Sequence, residues 1–101
     1  MDIFPLPFEW DEAKRATNLA KHGLDFIDAP TLFDGRPCVT FPSPRAGETR
    51  FVTVGRLDGV FVALVWTERD AATRVISFRR ARHAEARIYC ARLGGRAAGD
   101  A

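Results

Sequence analysis

The apolar positions change period twice, near residues 38 and 79. Before the first point they recur at helical spacing. In "WDEAKRATNLAKHG", residues 10–23, Ala13, Ala16 or Thr17, and Ala20 form a shallow stripe. Asp11 stands as N-cap, Glu12 in the first turn, Lys21 and His22 in the last, and Gly23 just beyond. So small an apolar face predicts close packing on something flat. A second helical segment falls within 25–34, with Phe26, Ala29 and Phe33 on one face and Asp25 or Asp28 as N-cap. Pro30 fits best in the first turn after Asp28.

From residue 38 the chain reads as extended. "CVTF", "TRFVTVG", "VFVALVWT" and "TRVISFR" are rich in Val, Phe, Thr and Ile and are separated by turn formers. "RLDG" at 56–59 predicts a short hairpin and "ERDAA" at 68–72 a slightly longer one, so residues 51–78 form an antiparallel meander. "VFVALVW", apolar on both faces, is the central strand, covered on both sides. After Arg79, Ala81, Ala84, Ile88 and Ala91 restore the helical period, Tyr89 and Leu93 widen the face, and Gly94-Gly95 end it. The expected architecture is α+β: two N-terminal helices, a four-stranded mainly antiparallel sheet and a C-terminal helix, in the order α-α-β-β-β-β-α. Residues 1–7 are read as an extended lead-in, 1–93 as one domain and 94–101 as a disordered tail.

Composition narrows the class without changing it. With 101 residues, 47% of them hydrophobic and eight of them Phe, the chain can close one core and not two. A net charge of +2 is modest, so the placement of the cations says more than their sum. Cys38 and Cys90 lack metal or redox spacing and read as core thiols of a reducing compartment. The longest apolar run is far short of the ~20 residues a membrane span needs, and a cytoplasmic protein with no membrane partner is expected.

The charge placement is unusual at one point. Arg79, Arg80, Arg82 and His83 surround the start of the last helix, where peptide dipoles already put partial positive charge. An anion held between guanidinium groups and the helix N-terminus, such as a phosphate, would offset that cost. A solvated face with Glu85 pairing Arg82 or a neighbour is the competing explanation. Strand parity sets Val75, Ser77 and Arg79 on one face and Arg74, Ile76 and Phe78 on the other, unless the strand twists or bulges. Glu68, with Arg69 beside it, ends the central strand and is a candidate base, or a partner for an arginine; His83 is a candidate proton carrier. Two histidines without ligand spacing exclude a metal site, and there is no P-loop or dinucleotide fingerprint.

Three separated blocks, "FEWDEAKRATNLAKHGLDF", "GETRFVTVG" and "WTERDAATRVISFRRARHAEARIY", together resemble the BrnT family of type II toxin–antitoxin toxins over about residues 8–90. The family's W-D opening matches Trp10-Asp11, its K-H-G matches Lys21 to Gly23, and its G-E-R matches Gly47, Glu48 and Arg50 with Thr49 inserted. Its R-I-I-S-A-R strand matches Arg74 to Arg79, with Val75 and Phe78 as departures. Ala81, Glu85, Arg87 and Tyr89 fit the last helix, where Ala84 and Ala86 replace residues that are often basic. The resemblance implies a RelE-like ribonuclease fold, an RNA substrate, and neutralisation by a BrnA-like ribbon-helix-helix antitoxin through which alone operator DNA is bound; no cofactor is expected. Under it, the expected catalytic residues are Arg79, Arg80, Glu68 and His83. Arg50, Arg69, Arg74, Arg82, Lys21 and His22 are the expected RNA contacts. The alternative is a non-catalytic basic module that acts with a DNA-binding repressor.

Overall fold

The computed structural model describes residues 7–45 and 47–94. The elements are β1 (Phe8–Glu9), α1 (Glu12–His22), a 3₁₀ helix (Phe26–Phe33), β2 (Val39–Pro42), β3 (Arg50–Leu57), β4 (Val60–Arg69), β5 (Ala72–Arg80) and α2 (His83–Leu93). The sheet has five strands in the order β1-β5-β4-β3-β2, not the four expected. The additional strand, β1, runs parallel to β5 and pairs Phe8 with Thr73 and Glu9 with Arg74. Two residues after a proline carry no strand period; the pairing is held by β5, whose Thr73 N–H also donates to the Pro7 carbonyl at 2.7 Å. The predicted lead-in lies outside the described residues except for Pro7. So does the predicted tail except for Gly94, which caps α2.

β4 is central and covered on both faces, as its sequence requires. Val62 and Leu64 pack with Phe26, Ala29 and Leu32 of the 3₁₀ helix and with Val75 and Phe78. Phe61 and Ala63 pack on the opposite face with Val39, Val52, Val54 and with Ala86 and Tyr89 of α2. Gly55 of β3 gives the 3₁₀ helix its close approach, because a Cβ there would meet Leu32 Cδ2 at 2.9 Å.

The second helical segment is 3₁₀, begins at Phe26 and takes Asp25 as N-cap, so Pro30 lies inside it, not in its first turn. Burial of Phe26, Ala29 and Leu32, three residues apart, matches the 3₁₀ period of three residues per turn. Both meander connections have two residues. Asp58-Gly59 and Asp70-Ala71 each have two positive φ angles, as a type I′ turn needs, so "ERDAA" closes more tightly than expected.

The helices sit differently from their apolar patterns. Ala13, Ala16, Thr17 and Ala20 are all exposed, because α1 does not lie on the sheet but along the edge of β5. Buried Asn18 holds it there: its side-chain N–H₂ donates to the Phe78 carbonyl at 2.8 Å, and its Oδ1 accepts the Phe78 N–H at 3.1 Å. One amide thus takes the place of a neighbouring strand beyond the end of β1 and closes that part of the sheet edge. On α2, Ala84 and Ala91 face solvent while Glu85, Ala86 and Tyr89 are buried. Its rotation is set by Tyr89, edge-on to Phe61 at 5.2 Å between centroids, and by an ion pair from Glu85 to β5.

Candidate functional site

β5 carries a bulge that changes which arginines share a face. Val65 pairs with Ser77 and Trp66 with Val75, so Ile76 is the extra residue. Val75 and Phe78 consequently enter the same core cluster on the 3₁₀ side. Arg74, Ser77 and Arg79 all belong to the α2 side. The simple parity that separated Arg74 from Arg79 is corrected by one inserted residue.

On that face the register aligns a polar row across four strands: Arg50 pairs with Thr67, Thr67 with Arg74 and Arg74 with Glu9. With strands ~4.8 Å apart, the Arg50 and Arg74 backbones lie about 10 Å from each other. α2 packs over Val39, Val52, Val54, Phe61 and Ala63, none of them in this row; the Arg50 and Arg74 side chains are 32% and 28% exposed on either side of the buried Thr67.

Carboxylates steady both arginines without exhausting them. Arg50 Nε donates to Glu48 Oε1 at 2.8 Å, and Arg74 Nη1 to Glu9 Oε2 at 3.1 Å. Glu48 also has the Arg69 guanidinium at 3.6 Å. Its carboxyl is held below its ordinary value, first by the Arg50 hydrogen bond and then by the charges of Arg50, Arg69 and Lys14. Thr67 is buried, and its hydroxyl donates to the Thr49 carbonyl at 2.7 Å, fixing the chain that carries Glu48 and Arg50. A guanidinium has five N–H donors, so both Nη groups of Arg50 and most donors of Arg74 are not committed to a hydrogen bond with a described residue and can serve an anion.

Arg79 is different. Its Nη1 and Nη2 donate to Glu85 Oε1 and Oε2 at 2.9 and 3.0 Å, and the two side chains are only 15% and 11% exposed. Glu85 Oε1 also accepts the Arg82 backbone N–H at 2.7 Å, at the start of α2. Burial pushes the Glu85 carboxyl up, but the Arg79 hydrogen bonds and the Arg82 N–H outweigh it and leave it below its ordinary value. The chain itself therefore supplies an anion at the helix N-terminus: Glu85, paired with Arg79 rather than Arg82.

The remaining expected site residues are dispersed. Arg80 pairs with Val62 and points to the 3₁₀ side, where it lines a cavity of about 600 Å³ with His22 and Arg36. Glu68, paired with Thr73, is exposed on that same side, away from the arginine row. His83 and Arg82 are exposed at the start of α2, and His83 borders a shallow hollow with Arg80 and Phe61. Lys21 and His22 line a groove between α1 and β5. The four residues expected to act together in catalysis are thus not brought together, whereas Arg50, Arg69 and Arg74 are. Lys14, whose charge also lowers the Glu48 carboxyl, was not anticipated; its seven-residue spacing from Lys21 on one helix was the available signal. Among the described residues no cluster of three His, Cys, Asp or Glu side chains could hold a metal ion.

A small α+β domain with guanidinium groups grouped on the sheet face that carries α2 offers a surface suited to a phosphate backbone. The chain belongs to the family described as the ribonuclease toxin, BrnT, of type II toxin–antitoxin systems, which matches residues 10–85. That span runs from Trp10 to Glu85 and so contains Arg50, Thr67, Arg74 and the Arg79–Glu85 pair. Membership implies an antitoxin partner. No curated protein matches the chain. No described helix is long and apolar enough to cross a membrane.

Proposed function

We propose that the protein is an endoribonuclease that cuts RNA by transesterification, without a metal, and is released from and silenced by a BrnA-like ribbon-helix-helix antitoxin. The observation that carries the reading is the Arg50–Thr67–Arg74 row: two arginines, each oriented by a carboxylate and with backbones about 10 Å apart, on one face of the sheet in a family of ribonuclease toxins. The ribose 2′-oxygen attacks the adjacent phosphorus as its proton leaves, the bond to the 5′-oxygen breaks, and that oxygen takes up a proton. The products are a 2′,3′-cyclic phosphate and a 5′-hydroxyl.

The crowded phosphorane carries one more negative charge than the diester it comes from. Arg50 and Arg74 meet that charge with donors already aimed by Glu48 and Glu9, so little reorganisation is needed as it develops. Glu48 serves to orient Arg50; the Arg50 hydrogen bond and the neighbouring positive charges lower its carboxyl, which makes it a weaker base than a free glutamate. The contribution assigned to this row is therefore electrostatic and positional. The 3₁₀-side placement of Glu68 and the distant exposure of His83 argue against either as the group that takes the proton in this row.

Exposed Ala84 and Ala91 beside half-buried Ile88 give α2 a shallow apolar strip outside the core, a surface an antitoxin could cover. Operator DNA would then be reached through the antitoxin. The test is to incubate the purified chain with single-stranded RNA in excess chelator. Cleavage with 5′-hydroxyl and cyclic phosphate ends is expected, and Arg50→Ala should lower its rate by about 100-fold, since one lost donor to developing charge is worth roughly 3 kcal/mol. Dependence on added divalent metal, or 5′-phosphate ends, would overturn the mechanism.

A further inference from the structure

The groove between α1 and the edge of β5 supplies none of the hydrogen-bond donors assigned to the row. Asn18 pins the helix to Phe78 and leaves Lys14, Thr17 and Lys21 along one wall, with Ile76 and Ser77 on the floor. The groove measures about 470 Å³. The bulge is what turns this floor outward: Ile76 has no cross-strand partner in β4 and is only partly buried.

Both lysines are exposed, and neither forms an ion pair with a described residue. Seven residues at 1.5 Å each separate them by about 10.5 Å along a common side of the helix. The one carboxylate bordering the groove, Asp11, is committed to the Ala13 and Lys14 backbone N–H groups as the helix cap. The Lys14 charge is among those that lower the Glu48 carboxyl, so this end of the groove lies within electrostatic reach of the carboxylate that orients Arg50.

We infer that this groove carries the sugar–phosphate backbone of a single RNA strand beyond the Arg50–Arg74 row, with Lys14 and Lys21 each holding one phosphate. The inference rests on the ribonuclease reading and extends it from a cleavage point to a path. A positive groove that follows a backbone, with an apolar floor, is a form that single-strand binding takes, whereas a duplex is gripped across a wide minor groove. Two lysines as point charges give affinity without base specificity.

The experiment measures binding of an uncleavable 2′-O-methyl RNA ten-mer and trimer across a salt series, for wild type and for Lys14→Gln/Lys21→Gln. Two single-strand phosphate contacts contribute a slope of about 0.7 each, so the double variant should flatten the log K against log salt line for the ten-mer by about 1.4. The preference for ten-mer over trimer should fall about tenfold. Arg87→Gln/Arg92→Gln, on the exposed side of α2, should leave both quantities as they are. An unchanged ten-mer slope in the lysine variant overturns the groove. A changed slope in a wild-type background that cuts no RNA keeps the groove and discards the ribonuclease reading.

Discussion

Arg74 and Arg79 stand on the same face of one strand, yet their surroundings give them opposite work. Arg79 points under α2, meets both oxygens of Glu85 and is 15% exposed; Arg74 lies in the row outside the α2 contacts, gives one donor to Glu9 and is 28% exposed. A count of arginines cannot distinguish them, but a count of uncommitted donors can. An arginine that closes a bidentate pair inside the fold is part of the fold, while one steadied through a single donor is oriented for something outside it. The bulge at Ile76 makes the comparison possible, since without it the two would face opposite ways.

The largest expected effects follow from exchanging the two fates. Arg74→Ala should lower RNA cleavage by about 100-fold or more, the roughly 3 kcal/mol of a donor lost from developing charge, and leave the unfolding midpoint nearly where it was. Arg79→Ala should do the reverse. It strands a mostly buried carboxylate and should cost about 2–4 kcal/mol in urea unfolding, with the folded fraction still cutting RNA. If Arg79→Ala folds as stably as wild type but does not cut, the division between them is broken, and Arg79 belongs with the substrate.

The pH dependence of stability sharpens the same contrast. Because the folded-state pKa of Glu85 lies below its ordinary value, the stability it lends is fully present above about pH 5 and is lost as pH falls through the folded value. In Arg79→Ala the burial that pushes this carboxyl up is no longer opposed by the guanidinium, so protonation now relieves the fold. The stability gap between wild type and Arg79→Ala should therefore narrow steadily from pH 7 to pH 3, when unfolding is followed by circular dichroism. Arg74→Ala, whose ion-pair partner is 39% exposed and not buried like Glu85, is the control measured in the same series.

Next in size is Asn18→Ala, a test of how the groove wall is held. It removes the partner of the Phe78 N–H and carbonyl and should cost about 1–3 kcal/mol in urea unfolding, by leaving buried backbone groups unsatisfied. Leu at the same position should be no better, since the loss is of hydrogen bonds and not of volume. Recovery of full stability by Leu would mean that α1 is held by packing.

Period and turn chemistry made much of the fold legible: the capped α1, the meander, the doubly covered β4 and the helix closing at Gly94 all follow from local residue patterns. β1 was hidden because two residues have no period, and its existence depends on β5 as a template. The rotation of α2 was hidden because Ala84, Ile88 and Ala91 form a tidy stripe, while the face actually buried includes a charged residue, Glu85, whose partner lies across a strand-to-helix junction. The candidate site was legible as residue types but not as a place. Arg50, Arg69 and Arg74 could be named one by one, but bringing them together took the register across β3, β4 and β5 and the bulge at Ile76.

The smallest effect concerns the two hairpins of the meander, which differ by one residue type. Both turns need positive φ at both central positions; one uses Asp58-Gly59, the other Asp70-Ala71, with Ala71 at φ 61°. A Cβ in the left-handed region costs roughly 1–2 kcal/mol, against which glycine's greater freedom in the unfolded chain sets about 0.5–1 kcal/mol. Ala71→Gly should therefore stabilise the protein by about 0.5–1 kcal/mol, a rise of a few degrees in Tm for a domain of this size. The turn joins the strand ends that carry Arg69 and Arg74, so RNA cleavage by Ala71→Gly reports whether its geometry also sets the row. Unchanged cleavage with higher stability fits a row fixed by the strand register and by Thr67. A loss of cleavage without a loss of stability would show that the tight turn itself, not the register, aims Arg69 and Arg74.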